Sequence, residues 1–208
     1  MMTRRFLHGG LLAAALIGLG FSGGAVAAGG GNNECPVDVL EGSPGTPDTT
    51  LDLEFGPYSA EITHCLKRRH KVKLVVQVNQ YCARTDTNGV CTRPYALHNI
   101  DNVINDYEVT NGMVQGQDYE IAAIVHSGGG TLLLDPNAST PHPNAGNNQF
   151  AQNVKDLMEA GVKFYFCQNT ARGMHVTTDQ LIPGVEYVTA GISALADFQS
   201  NGWTYVQP

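Results

Sequence analysis

The sequence has few charged residues and no basic cluster. Charged residues make up 15% of its 208 residues, and the net charge is −7. A nucleic-acid-binding protein needs a basic surface to neutralise phosphates, and binding to anionic lipid also needs clustered positive charge. The composition therefore predicts that nucleic acid is not a partner and that the protein does not bind tightly to an anionic membrane surface.

The chain also lacks the short motifs that mark common cofactor sites. It contains no Cys-x-x-Cys pair for zinc or thioredoxin-like chemistry, and no Cys-x-x-Cys-His for haem attachment. Three glycines occur at 128–130, but no lysine follows them and the phosphate-loop motif is absent. We therefore predict no cofactor. The glycines instead predict a tight turn that lets the backbone approach the neighbouring loop.

The N-terminus carries an apolar run too short for a comfortable membrane span. Arg4 and Arg5 precede the run Leu11–Leu19, and small residues follow up to Ala28. This layout is typical of a secretory signal peptide, whereas a spanning helix takes about 20 apolar residues. We predict that residues 1–28 are cleaved, that the protein is periplasmic, and that it has no stable membrane anchor. The paired arginines are compatible with twin-arginine or ordinary secretory export.

The remaining chain divides into two regions of different pattern. Residues 29–70 are rich in Gly, Pro, Asn and Thr and hold too little apolar surface to order themselves, so they are predicted to form an extended arm. Residues 71–208 carry periodic apolar patterns and are long enough for one domain with a sizeable core.

Within residues 71–208, strand and helix patterns alternate. Apolar runs of strand length occur at 72–78, 119–125, 162–166, 185–190 and 203–206. Apolar residues at helical spacing occur at 96–109, 148–160 and 192–199. This order favours parallel strands joined by right-handed crossovers. The predicted fold is α/β with three layers, a mainly parallel five-stranded sheet with helices on both faces.

All five cysteines lie beyond the predicted signal peptide. In an oxidising compartment they tend to pair, and an odd number leaves one over. Cys82 and Cys91 flank a segment with an Asn-Gly turn signal, which can bring them within bridging distance. Cys35 and Cys65 bracket the arm and make a plausible second pair. Cys167 is then the free thiol.

Cys167 follows a predicted strand, and ligands bind beyond the carboxyl ends of strands in open parallel sheets. The turn from Gln168 to Gly173 can direct backbone N–H groups and a helix dipole at the sulfur, and both favour the thiolate. Arg172 can add positive charge nearby. A buried free cysteine also behaves as an inert small hydrophobe. The residues alone leave a reactive and a structural Cys167 both open.

Three histidines raise further alternatives. His126 ends the second predicted strand, as a proton partner for Cys167 or as a histidine without a catalytic role. Cys167, His126 and His175 offer donors suited to copper or zinc, but no pair has the spacing of a metal site, so we predict no metal. His142 lies in a polar, proline-flanked loop and is predicted to be solvated.

Four segments together resemble the DsrE/DsrF-like (YchN-like) family. The similarity extends over roughly residues 71–208, and the combination is more specific than any one piece. The segments are Lys73–Asn79, Val125–Thr131, Gly161–Gly173 and the tail from Leu181 to Gln199. The resemblance implies a three-layer α/β fold, assembly into a homotrimer or homohexamer, and a strand-end cysteine that carries sulfur as a persulfide. Cys167 is the residue that matches this cysteine.

Two functions follow from these observations. In the first, the protein is a periplasmic sulfur carrier, similar to a sulfurtransferase, in which Cys167 exchanges sulfane sulfur with donor and acceptor proteins or small sulfur compounds. His126 or Arg172 would then help to stabilise the anion. In the second, it is a non-enzymatic binding or assembly subunit for a metal or an exported redox partner, and Cys167 is structural. The export signal, the arm and the Cys82–Cys91 segment depart from cytoplasmic members, so the partners of a cytoplasmic relay are not carried over.

Overall fold

The computed structural model describes residues 71–208. The predicted signal peptide, the arm and the Cys35–Cys65 pair lie outside these residues. Among the helices of residues 71–208, none combines the length and the apolar character needed to cross a membrane.

Seven strands and four α-helices make up the described domain. The strands are β1 (Val72–Val78), β2 (Cys82–Thr85), β3 (Cys91–Pro94), β4 (Tyr119–Val125), β5 (Lys163–Cys167), β6 (Glu186–Val188) and β7 (Thr204–Val206). The α-helices are α1 (Leu97–Asn105), α2 (Ala151–Glu159), α3 (Gln168–Met174) and α4 (Gly191–Ser200). Shorter helical segments are the π-helical turn Asp106–Thr110 and the 3₁₀ segments Ser127–Leu133, Ala145–Asn147 and Thr178–Gln180.

Five of the seven strands form one sheet in the order β6-β5-β4-β1-β7, and β2 and β3 form a separate two-stranded sheet. All four ladders of this sheet are parallel. The two central strands, β1 and β4, are apolar over most of their length because helices cover both of their faces. Among the described residues, the first strand, β1, lies inside the sheet; the later strands β4, β5 and β6 follow outward on one side of it, and β7 lies on its other side. The predicted five-stranded parallel sheet is confirmed.

The sheet separates two apolar clusters. Alternate residues of a strand point to opposite faces, so Leu74 and Val76 join the larger cluster while Val75 joins the smaller one. The larger cluster includes residues of α1, α2 and α3. The smaller one includes Ala194 and Leu195 of α4. Helices therefore lie on both faces, as predicted, and the three-layer arrangement is confirmed.

The second long helix begins later than its apolar pattern predicts. Its expected start, Asn148, is buried, and its side-chain amide donates hydrogen bonds to the carbonyl oxygens of Leu132 and Leu134, both at 2.8 Å. Its Oδ1 accepts the N–H of Phe150 at 3.2 Å. Asn148 therefore ties the loop to the start of α2 without joining the helix. Gly161, with φ of +88°, follows the helix at the predicted stop.

The predicted disulfide between Cys82 and Cys91 is present. The two Cα atoms lie 5.7 Å apart, and the bridge crosses the antiparallel ribbon of β2 and β3. The turn of this ribbon is closed by Asp86, whose Oδ1 accepts the N–H groups of Asn88 and Val90. The Asn-Gly signal therefore marks the tip of the ribbon.

The prediction that His142 is solvated is wrong. The residue is buried, its Nε2 lies 2.9 Å from the carbonyl oxygen of Met174 at the end of α3, and its Nδ1 accepts the N–H of Asn144 at 3.1 Å. A polar sequence around a histidine does not exclude burial, because main-chain groups can satisfy both ring nitrogens.

The glycine segment makes the close approach that its composition predicts. It forms the 3₁₀ segment that starts at Ser127, directly after β4. A Cβ atom at Gly129 would overlap the carbonyl oxygen of Val78, whereas a Cβ at Gly128 would meet the oxygen of Asn79 at 3.4 Å, an ordinary contact. The carbonyl of Val78 also accepts the N–H of His126 at 2.9 Å. Gly129 therefore allows the end of β4 to lie directly against the end of β1.

We predict that Gly129→Ala lowers the free energy of unfolding by about 2 kcal/mol, because overpacking against main-chain atoms forces the backbone to move. Gly128→Ala is the matched control and should change it by less than about 0.5 kcal/mol. Urea unfolding of the two variants measures both values. Equal stabilities would contradict the assigned contact.

Candidate active site

Cys167 lies at the carboxyl edge of the sheet, as the last residue of β5 and directly before α3. Its side chain is 5% exposed, and it is the free cysteine of the described chain. Parallel strands end at the same edge, so residues that finish neighbouring strands become neighbours in space. The ladder pairs Val125 with Phe166. His126 and Cys167, one residue further along each strand, are therefore adjacent.

Two opposing effects act on the Cys167 thiol. Burial raises its pKa, because a desolvated thiolate is less stable than one in water. The sulfur also accepts hydrogen bonds from the backbone N–H groups of Thr170, Gly191 and Asn169 and from the hydroxyl of Thr170. Together these bonds outweigh burial, and the pKa of Cys167 lies below the ordinary value for cysteine. The thiolate is thus favoured by specific donors.

The donors around the sulfur come from two separate helices. Asn169 and Thr170 belong to the first turn of α3, which follows Cys167 directly, while Gly191 is the first residue of α4. A Cβ at Gly191 would lie 3.1 Å from the Cβ, Cγ and Cδ2 atoms of His126. The absence of a side chain at Gly191 therefore lets α4 reach Cys167 while the imidazole packs against its backbone.

His126 is held by hydrogen bonds at both ring nitrogens. Its Nε2 lies 2.7 Å from Nε2 of Gln77, and its Nδ1 lies 2.9 Å from Oγ of Ser127. The amide of Gln77 can only donate through that nitrogen, so Nε2 of the imidazole accepts and the ring proton is on Nδ1. Burial lowers the pKa of His126, and the bond from Gln77 also favours the neutral ring. Neither ring nitrogen is directed at the Cys167 sulfur.

A row of polar side chains extends from His126 across the sheet. Gln77 of β1 is buried, and its Oε1 accepts a hydrogen bond from the hydroxyl of Tyr205 on β7. With Cys167 on β5 and His126 after β4, four adjacent strands each contribute one residue to this edge. The row fixes the orientation of the imidazole from the side away from Cys167.

The other residues considered for the site, Arg172 and His175, are exposed. Arg172 is exposed on α3, and its Nη1 donates to Oδ1 of Asn169 at 2.8 Å. The hydrogen bonds that lower the pKa of Cys167 do not include Arg172. His175 is exposed at the end of α3. Across residues 71–208, no group of three or more His, Cys, Asp or Glu side chains is arranged to hold a metal.

Sequence reasoning missed four residues of this edge. A signal existed for Gln77, because it is a polar residue within an otherwise apolar strand. Thr170 stands three residues after the strand-end cysteine, which is a position where a hydroxyl can turn back to the sulfur. Gly191 and Tyr205 carried no comparable signal, since their approach to the site depends on how α4 and β7 return to the sheet.

The fold and the site define a class of protein, namely a three-layer α/β protein with a hydrogen-bonded thiol at the end of a parallel strand. The family model of the DsrE/DsrF-like family matches residues 92–208, and the chain belongs to this family. The family is generally linked to sulfur relay. The match begins within β3, whereas the resemblance noted from sequence starts at about residue 71.

Solved structures similar to this chain include the following two proteins. MTH1491, a protein of unknown function from Methanobacterium thermoautotrophicum, is 22% identical with a TM-score of 0.47, over 66% of this chain and 100% of its own. The YchN protein from E. coli is 17% identical with a TM-score of 0.44, over 66% of this chain and 99% of its own. A comparison with curated protein sequences gives no significant match.

We predict that Gly191→Ala slows alkylation of Cys167 near neutral pH several-fold and lowers the free energy of unfolding by about 1 kcal/mol, because the added methyl group presses on the buried imidazole and displaces the N–H donor. The matched control is Gly173→Ala, where a Cβ would meet nothing within 4 Å. Alkylation rates and urea unfolding give the two values. A Gly191→Ala protein that reacts as fast as the control would contradict the role of this approach.

Proposed function

We propose that this protein is a periplasmic sulfur carrier that holds sulfane sulfur as a persulfide on Cys167. The observation that carries the proposal is the set of hydrogen bonds on the Cys167 sulfur, which lowers the pKa of its thiol despite burial. The nucleophile in sulfur chemistry is the thiolate. Membership of a family linked to sulfur relay supports the same chemistry.

Sulfur uptake is an exchange between two sulfur–sulfur bonds. The Cys167 thiolate attacks the terminal sulfur of a donor persulfide or polysulfide, and the new bond joins Sγ to that sulfur. The sulfur–sulfur bond of the donor breaks, and its electron pair leaves on the donor as a thiolate or a shortened polysulfide. Delivery reverses the roles, because an acceptor thiolate attacks the outer sulfur and Cys167 leaves as the thiolate. The exchange needs no external oxidant or reductant.

The burial of Cys167 limits the size of the sulfur donor that can reach it. Since Cys167 is 5% exposed, a small sulfur anion reaches its sulfur atom more readily than a bulky reagent does. In this proposal the anion is stabilised by N–H and hydroxyl dipoles, and a contribution from His126 or Arg172 is part of the same proposal. The donor and acceptor, whether proteins or small sulfur compounds, and a homotrimeric or homohexameric assembly belong to the proposal through the family resemblance.

We expect the mature protein to react with a small alkylating reagent at a pH below that needed by an ordinary cysteine. The sign follows from the lowered pKa, since the thiolate persists as the pH falls until the pH passes that pKa. We also expect Cys167 to gain mass in whole sulfur atoms after treatment with polysulfide. The measurements are alkylation rate against pH and mass spectrometry, with Cys167→Ser as the control for the other cysteines.

Two results together would contradict the proposal. One is a Cys167 that titrates at or above the ordinary cysteine value, and the other is a native protein that gains no sulfur beyond the Cys167→Ser control. They would favour the alternative function, a binding or assembly subunit in which Cys167 is structural.

A further inference from the structure

Ser127 adopts a backbone conformation that costs energy. Its φ is +51°, in the left-handed region that non-glycine residues enter at a cost of roughly 1–2 kcal/mol. In this conformation the N–H of Ser127 donates to Oγ1 of Thr170 at 2.9 Å, and its Oγ lies 2.9 Å from Nδ1 of His126. The strained residue thus connects the end of β4 with the first turn of α3, next to Cys167.

The bond from Ser127 determines where the hydroxyl proton of Thr170 can point. A threonine hydroxyl has one proton to donate and lone pairs that accept. Because the oxygen accepts the N–H of Ser127, its own proton is free to be donated to the Cys167 sulfur at the end of β5, and this hydroxyl bond is among those that lower the pKa of Cys167. Thr170 therefore presents its hydroxyl proton and its backbone N–H to the same sulfur atom.

The row of polar side chains that contains His126, Gln77 and Tyr205 also holds the side chain of Ser127 by a hydrogen bond. Gln77 donates to Nε2 of His126, so the proton on Nδ1 is donated to Oγ of Ser127. The amide of Gln77 is in turn fixed by the hydroxyl of Tyr205. The hydrogen bonds of this edge thus have one consistent direction, and they end at Thr170 and Cys167.

We propose that the Thr170 hydroxyl stabilises Cys167 as the leaving thiolate when sulfur is delivered, and that Ser127 positions this hydroxyl. The inference rests on the proposed function. During delivery the bond between Sγ and the outer sulfur breaks and its electron pair remains on Sγ, which is the atom that receives the Thr170 hydrogen bond. During uptake the same bond stabilises the attacking thiolate before it reacts. Thr170 therefore favours delivery over uptake once the thiol is fully ionised.

Leaving-group and nucleophile effects give this role a distinct signature. A thiolate with a lower pKa leaves faster, but it is also a weaker intrinsic nucleophile. Loss of the Thr170 hydroxyl should therefore slow delivery without slowing uptake at a pH where Cys167 is ionised in every variant. A residue that merely supports the fold would not separate the two half-reactions in this way.

The test compares the mature native protein with Thr170→Val, which removes the hydroxyl at similar size, and Thr170→Ser, which restores it. Ser193→Ala is the matched control, because this hydroxyl in the first turn of α4 donates to the carbonyl of Ala190 and not to the sulfur. Thiolate absorbance, read as a difference from Cys167→Ser, gives the titration midpoint. Uptake from polysulfide and delivery from the loaded protein to excess free cysteine are followed by mass spectrometry.

We expect Thr170→Val to raise the titration midpoint and to slow delivery about threefold, with uptake as fast as in the native protein or faster. Thr170→Ser and Ser193→Ala should match the native protein. If Thr170→Val does not fold, Thr170→Ala removes the same hydroxyl and is read in the same way. A variant without the hydroxyl that titrates and delivers like the native protein overturns the inference. So does an equal effect of Ser193→Ala.

The titration also separates this inference from the proposed function. A native protein that takes up no sulfur contradicts the proposed function and, with it, the role of Thr170 in delivery. The titration of the same variants still decides whether Thr170 holds the Cys167 thiolate.

Discussion

The hydrogen bonds on the Cys167 sulfur are the interactions on which the rest of the site depends. They draw donors from the start of α3 and from the start of α4 to one buried atom. Without them, burial alone would raise the pKa of the thiol and leave it protonated and inert. With them, the pKa of a thiol in a residue of 5% exposure lies below the ordinary value for cysteine. The pKa that separates a structural from a reactive interpretation of Cys167 is thus determined here by a few N–H and O–H donors.

The topology of the sheet explains why those groups can meet. Strand β5 leads directly into α3, so Asn169 and Thr170 are local to Cys167. Helix α4 comes from the segment after β6, the edge strand next to β5, and its first residue reaches the same sulfur. On the far side, His126 after β4, Gln77 of β1 and Tyr205 of β7 are joined by hydrogen bonds, so one row of polar side chains crosses the edge. The site therefore combines a local turn with contacts that are distant in sequence.

The sequence was informative where a pattern had one physical meaning. The bounds of β1 and β4 are those predicted, because β-branched apolar runs buried on both faces have few alternatives. The pairing of Cys82 with Cys91 was also predictable, because the turn between them is local. Helix starts were less predictable, as at Asn148, where a side chain bonds to a loop far from the helix in sequence.

Side-chain direction explains most of what sequence reasoning missed at the site. Arg172 was expected to add positive charge near the sulfur; on α3 it is exposed, and its Nη1 donates to Oδ1 of Asn169. His126 is adjacent to Cys167, yet its ring nitrogens bond to Gln77 and Ser127. Thr170 was inside the expected turn but was not singled out. Spacing along the chain places a residue near a site, whereas its bonding depends on partners from other strands and helices.

The central claim is that Cys167 carries sulfur, and the most direct measurement is the mass of the native protein purified from its source without reductant. The account predicts a fraction of molecules in which the peptide that contains Cys167 is heavier by whole sulfur atoms, which a reductant removes. A Cys167 that is a plain thiol in every molecule, or that is bridged to another cysteine of the chain, would contradict the account.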